Sequence, residues 1–344
     1  MRALQLTGPG NLELVDVPVP EPGPGEIRLA MAAVGACHSD LHVLDAPAGT
    51  YPTPLTIGHE VVGKVDQVGP GVTGWEPGEP AAVYGIIGCG RCRACLRGEE
   101  NRCRTVPLGG IGISRDGGLA DFLVAPASRL LHIGDLDVTQ AAPLTDAGLT
   151  PYHAIEVSRD RLRPGTYCVV IGIGGLGHMA VQILAATTAV TIIAVDTSDA
   201  ALDLARQVGA HHVVKSGPDA VERIRGMVGA PPDGADVVLD FVGVNPTLDL
   251  ARSVVATGGH LVLVGLGGGT LPFRPTVEAD LPVPFEVDAR IPFWGTRAEL
   301  QEVIALAHQG QLRAEVRTFP LDRAVEAYQM LRRGEIRGRA VIVP

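Results

Sequence analysis

The rhythm of apolar positions changes twice along the chain. From residue 1 to about 146, short β-branched runs such as Val61 to Val68 alternate with punctuation by Pro18, Pro20, Pro22 and Pro24, and again around Gly69 to Pro80. That pattern predicts short antiparallel strands in a partly open barrel. From about 147 to 291 strand-like and helix-like segments alternate, with strands expected at 167–171, 191–195, 212–215, 236–240 and 260–264. Alternation of this kind predicts an α/β domain built on a doubly wound parallel sheet. The tail repeats it more briefly: helices at about 297–309 and 321–333, then a strand from Arg339 to Val343.

The most informative stretch is Tyr167 to Gly177, YCVVIGIGGLG. A buried-type strand runs into Gly172, Gly174 and Gly177, spaced G-x-G-x-x-G, with Gly175 and Leu176 inside the turn. Leu176, Met179, Ala180, Ile183 and Leu184 then recur at helical spacing. Such a turn binds a dinucleotide for physical reasons. Gly172 allows its geometry, Gly174 lets a pyrophosphate approach the main chain, and Gly177 lets helix and strand pack closely. The unpaired N–H groups at the helix start favour the phosphate charge. A glycine triplet alone is weak in a chain with 44 glycines. Support comes from TIIAV (Thr191 to Val195), which ends in Asp196, about 20 residues on, where a carboxylate would accept from an adenosine ribose. The competing reading of Asp196 is a helix cap. Thr197, Ser198 and Asp199 follow it, with no nearby Arg or Lys in the sequence, so a 2′-phosphate would meet like charge and NAD is expected over NADP.

Bulk properties narrow the function. At 344 residues, 46% hydrophobic and 19% charged, the chain should form two globular domains. A net charge of −10 without a basic run makes nucleic acid and anionic membrane poor partners. The start, MRALQLTGPG, lacks a signal-peptide core, and no stretch approaches a membrane span, so a cytoplasmic protein is expected. Six cysteines are too few for a disulfide scaffold, and their clustering suggests metal.

Cys89, Cys92, Cys95 and Cys103 follow C-x2-C-x2-C-x7-C. Four thiolates so close suit a closed tetrahedral zinc site that stabilises a lobe and leaves no position open for chemistry. An iron–sulfur cluster is the rival, but the last spacing and the absence of Pro after Cys103 differ from the ferredoxin run. Cys168, in the strand before the glycine turn, reads as core. Cys37, in GACHSDLH, and His59, in GHEVVGKV, are also good zinc ligands, although taken alone Cys37 is more often a buried apolar residue and His59 a core histidine.

Together GACHSDLH, GHEVVGKV, the four-cysteine lobe, APLTDAGLTPYHA and VVIGIGGLG resemble the zinc-containing medium-chain alcohol dehydrogenases, most of all the bacterial secondary-alcohol enzymes. The resemblance spans essentially the whole chain. It implies a GroES-like barrel domain at 1–147 and 292–344, returning after a Rossmann domain at 148–291, and two zinc ions per chain. It places the catalytic zinc on Cys37, His59 and Asp146, the last at a position where many relatives have Cys as the third ligand. A carboxylate keeps the charge and, as a harder donor, makes the ion a stronger Lewis acid. Glu60 is implied as a transient or neighbouring ligand. Ser39 is implied to take the hydroxyl proton and pass it through the cofactor ribose to His42, whose pKa suits the role. His38 and Arg339 are placed near the pyrophosphate, His38 where an arginine is usual. Thr150, Val242, Gly265 and Leu266 border the cofactor at segment ends. Phe293 and Trp294, with Tyr51 and Leu119, are placed at an apolar substrate pocket favouring hydrophobic alcohols and ketones. The strand-like run Val283 to Ile291 could extend the sheet across a two-fold axis, giving a homodimer or homotetramer. The expected activity is therefore NAD-dependent interconversion of secondary alcohols and ketones, with primary alcohols also open. Polyol or threonine dehydrogenase activity stays open, as does a non-catalytic NAD-binding protein whose only zinc is structural.

Overall fold

The computed structural model describes residues 1–106, 109–274 and 283–344. They group into two compact units: Met1–Leu149 with Gly295–Pro344, and Thr150–Trp294. The divisions fall at 149/150 and 294/295, slightly later than expected, which assigns Phe293 and Trp294 to the second unit.

The first unit begins with β1 (Arg2–Gly8), β2 (Asn11–Asp16), β3 (Glu26–Ala36), β4 (Leu55–Thr56), β5 (Glu60–Val68), β6 (Pro80–Val83), β7 (Phe122–Pro126) and β8 (Leu130–His132). The second carries β9 (Tyr167–Ile171), β10 (Thr191–Asp196), β11 (His212–Lys215), β12 (Ala235–Asp240), β13 (Val255–Leu263) and β14 (Asp288–Arg290). The chain then returns to the first unit with β15 (Val316–Pro320) and β16 (Arg339–Val343).

In the first unit one sheet runs β15-β16-β3-β5-β6-β8, with β7 also on β3, and a smaller one runs β2-β1-β4. Alternate residues of β3 (Ile27, Leu29, Met31) and of β5 (Val61, Val65) point into a shared apolar core with Leu4, Leu55 and Leu119. Period-2 patterning of this kind locks register, because a one-residue slip would turn that face to water. Two register facts position the chemistry. Gly35 on β3 faces Glu60 on β5, so Cys37 just past one strand lies beside His59 just before the other. Ala36 faces Ala340 on β16, which brings Arg339 to the same corner.

In the second unit, among the described residues, six strands pair in the order β11-β10-β9-β12-β13-β14, all parallel. This is the doubly wound order in which ligands meet the carboxyl ends of the strands at the switch point. The strands are near-continuous apolar runs because helices cover both faces. The expected strands agree with β9 to β13, except that β13 starts earlier, at Val255. The run from Val283 is shorter than expected: only Asp288–Arg290 pairs with β13. Glu286 has a φ of 60°, and the strand begins two residues after it.

Candidate active site

Cys37, His59 and Asp146 converge in the first unit, and one ligand atom from each lies within 4.8 Å of the others. All three are nearly buried, at 3%, 2% and 8% exposure. Cys37 Sγ is 3.6 Å from Asp146 Oδ2, and His59 Nε2 is 3.3 Å from the same oxygen. Ligands of one tetrahedral zinc, bonded at about 2.0–2.3 Å, are themselves spaced about 3.3–3.8 Å apart. The residues therefore fit the ion in donor type, charge and spacing.

Local structure explains the aim of each ligand. Cys37 caps the helix His38–Leu44 and Asp40 completes the capping box. His59 follows Gly58, whose φ of +95° and lack of a side chain are both required, since a Cβ there would strike Leu119 and Val34. Asp146 ends a 3-10 turn, three residues ahead of the next helix, which begins at Leu149. The Asp40 carboxylate accepts from His59 Nδ1–H at 2.9 Å, leaving Nε2 to face Asp146. Fixing a histidine through its second nitrogen is the usual support of a metal ligand. Burial disfavours charge on His59, but Asp40 and Asp146 outweigh it and hold the ring well above the ordinary imidazole pKa. A proton thus competes for the place a dication would take.

Glu60 and Arg339 pair beside the three donors. Arg339 donates through Nε to Glu60 Oε2 at 2.9 Å and through Nη2 to Glu60 Oε1. The same Nη2 lies 3.5 Å from Asp146 Oδ2, and Ala147 N donates to Glu60 Oε1 at 3.0 Å. Glu60 thus braces the segment that carries Asp146. Arg339, 2% exposed, directs its guanidinium to these carboxylates. The expectation for Arg339 is a place near the pyrophosphate; in this structure its hydrogen bonds run to Glu60 and Asp146. A Cβ at Gly35 would overlap the Glu60 carboxylate, which explains a glycine inside a strand.

Ser39 Oγ is 3.5 Å from Cys37 Sγ and half-buried, whereas His38 and His42 are exposed. Although part of His38 meets solvent, desolvation of its ring by the surrounding protein and the nearby Arg339 charge lower its pKa. Tyr51 is half-buried against the barrel core. Leu119 has no exposed surface and packs within that core, against Gly58. In the second unit Phe293 and Trp294 meet edge to face, with centroids 6.1 Å apart, and Trp294 holds a φ of 54°.

The four cysteines gather in a half-buried lobe, with Sγ···Sγ distances of 4.0 Å (Cys89–Cys95), 3.5 Å (Cys92–Cys95) and 3.9 Å (Cys92–Cys103). Tetrahedral zinc–thiolate geometry requires about 3.8 Å. Backbone N–H groups and the Thr105 hydroxyl draw Cys89 down to about 6, while burial and the neighbouring sulfurs push Cys95 up to about 12. Only a cation lets all four carry charge together.

The glycine turn has the predicted form. Gly172 has φ +85° and Gly177 packs against the Gly172 carbonyl, where a Cβ could not fit. At Gly174 a Cβ would find nothing within 4 Å, so the main chain is open to a ligand. Asp196, at the end of β10, accepts from Ile173 N at 2.7 Å and Ser198 N at 2.8 Å, which ties it to the turn. Thr150 is buried at 7% and Leu266 is 60% exposed, with Val242 and Gly265 packed together where Gly265 approaches the Val242 backbone.

Sequence reasoning missed three residues. Asp40 was visible as the third residue after a capping Cys37, although its hold on His59 was not. Tyr328 donates to Asp40 from 288 positions away, with no local signal. Lys215 lies opposite Asp196 in the parallel ladder and donates to Asp199 at 2.7 Å, so a cation does stand beside the acid.

Residues 23–135 match the alcohol dehydrogenase GroES-like domain, and residues 175–309 match the zinc-binding dehydrogenase domain. The chain belongs to the zinc-containing, NAD-dependent alcohol dehydrogenase family. It is 35% identical to an NAD-dependent alcohol dehydrogenase of Sulfurisphaera tokodaii, with all of both chains covered. An alcohol dehydrogenase of Geobacillus stearothermophilus is 34% identical over 96% of each chain. Among solved structures, the alcohol dehydrogenase of Aeropyrum pernix superposes with a TM-score of 0.91 at 34% identity over 100% of both chains. The acetophenone reductase of Geotrichum candidum, solved with NAD, gives 0.87 at 33% identity, covering 99% of this chain and 96% of that one.

Proposed function

We infer that this chain interconverts secondary alcohols and ketones with NAD, using a catalytic zinc held by Cys37, His59 and Asp146 and a second zinc held by the four-cysteine lobe. The observation that carries this reading is the convergence of three buried donor atoms at zinc-ligand spacing. When bound, the catalytic ion supplies Lewis acidity, which acidifies an alcohol hydroxyl or polarises a ketone carbonyl.

The remaining work belongs to the chain. Asp40 keeps His59 in the tautomer that presents Nε2. Ser39, beside Cys37, accepts the hydroxyl proton. His42, three residues on along one helix and exposed, releases it to water. Gly174 and the helix that starts at Gly177 receive the pyrophosphate, and Asp196 accepts from the adenosine ribose. In oxidation the alcohol carbon gives a hydride to NAD and one proton leaves. Reduction runs the same transfers backward. The acetophenone reductase, an enzyme named for an aromatic ketone, supports a hydrophobic ketone substrate here.

None of the six cysteines is in a disulfide, which suits a cytoplasmic enzyme. An edge strand at β14, with Phe285 58% and Ile291 75% exposed, supports pairing with a second copy into a homodimer or homotetramer. Initial rates with NAD and NADP over a series of alcohols, ketones, polyols and threonine, before and after chelation, test the whole reading. Secondary alcohols should be preferred and two zinc ions found per chain. High specificity for sorbitol or threonine would overturn the substrate class, and one zinc with no turnover would leave only a binding protein.

A further inference from the structure

We propose that Tyr328 is a positioning residue of the active site: its hydroxyl, donated to Asp40, holds the carboxylate that orients His59 and so governs how firmly the Cys37–His59–Asp146 site keeps its metal. The proposal rests on those three residues being zinc ligands.

Asp40 has no exposed surface. A carboxylate so placed must have its charge met by hydrogen bonds. Oδ1 accepts from His59 Nδ1 at 2.9 Å. Oδ2 accepts from Cys37 N at 2.9 Å and from the Tyr328 hydroxyl at 2.7 Å. The backbone donor fixes the Cys37 end, and Tyr328 is the side-chain donor that holds Oδ2 from the other side. It comes from the helix Ala324–Arg332, delivered by the C-terminal return of the chain. Its ring is 3% exposed and packs in the barrel core, a volume that phenylalanine would fill equally well. The hydroxyl is the atom that packing does not require. Burial and the adjoining Asp40 charge keep that hydroxyl protonated, and therefore a donor, at working pH.

Removing the hydroxyl leaves Oδ2 with one donor in a dry site. The carboxylate then turns toward other donors, and its grip on Nδ1–H loosens. Loss of such an outer contact typically costs metal sites about 10–100-fold in affinity.

The test uses the full-length, zinc-loaded protein. Zinc release to a coloured chelator is followed for wild type, Tyr328→Phe, Asp40→Asn and the double variant, and Cys37→Ser identifies the phase that belongs to the catalytic site. Tyr328→Phe should speed that phase about 10-fold and leave the phase of the four-cysteine lobe unchanged. It should also shift the visible bands of cobalt substituted at the catalytic site. Because Tyr328 acts through Asp40, adding Tyr328→Phe to Asp40→Asn should change the rate little further. An unchanged or slower catalytic phase with unchanged cobalt bands overturns the proposal, as does equal acceleration of both phases, which would mark a general loss of stability. If Cys37→Ser removes no zinc phase, the ligand assignment itself has failed.

Discussion

Asp196 and Lys215 occupy one rung of the parallel ladder between β10 and β11. The charge that a 2′-phosphate would meet is therefore mixed, with Lys215 currently held by Asp199 at 2.7 Å. Asp196→Ala should raise the KM for NAD by about 10-fold, the scale of one hydrogen bond to a charged group. With the acid gone Lys215 becomes the nearest charge, so the NAD-to-NADP ratio of kcat/KM should fall further than KM alone predicts. Kinetics with both cofactors in Asp196→Ala and Asp196→Ala/Lys215→Ala separate the two contributions. At the metal, Asp146→Cys preserves ligand charge and should retain zinc, whereas Asp146→Ala should lose the catalytic ion and turnover while the lobe keeps its own; metal analysis distinguishes them. Cys37, His59 and Asp146 were legible as candidate ligands because each sits in a short motif that carries the family resemblance. Lys215 was not, because neighbours across a parallel ladder are separated by a helix in sequence. Tyr328 was not, because nothing local marks a tyrosine as facing Asp40 rather than filling core.

At the scale of elements, the corner where β3, β5 and β16 meet shows why small residues are placed as they are. Gly35 must lack a side chain for the Glu60 carboxylate to lie across it. Gly35→Ala should destabilise the protein by about 1–3 kcal/mol, as overpacking does, and weaken catalytic zinc as Glu60 is displaced. Thermal unfolding with metal analysis reads both effects. The four-cysteine lobe should behave independently. Cys95→Ser should release one zinc and lower the melting temperature by about 5 °C, while the metal bound at Cys37 stays. Strand and helix order was legible in apolar period and turn residues. The shortened β14 was not, because its start follows the positive-φ turn at Glu286 rather than the apolar run that surrounds it.

At the scale of the molecule, the C-terminal return completes a charge balance that the N-terminal segments cannot. Cys37, Asp40, Glu60 and Asp146 are four buried acidic groups, and Arg339 from β16 is the buried arginine among them. A dication at the three proposed ligands would supply most of what is missing, and the Tyr328 hydroxyl disperses part of the rest. Acid should undo this arrangement in one direction. With the His59 pKa held well above its ordinary value, protons compete with zinc throughout the neutral range and more strongly as pH falls. Metal retained after dialysis should therefore decline with acidification, while the protonated ring partly stabilises the metal-free form. Arg339→Ala is the sharper test. It leaves Glu60 without its bidentate partner and Asp146 without its nearest guanidinium, both out of water, and breaking a buried pair costs about 3–5 kcal/mol. Arg339→Lys restores charge but not the planar fork, so it should recover only part of the loss. Chemical denaturation of both variants should show that order, Ala below Lys below wild type, with catalytic zinc lost in the same sequence. Equal stability of all three would mean that the return strand contributes packing alone and that the acidic corner is neutralised elsewhere.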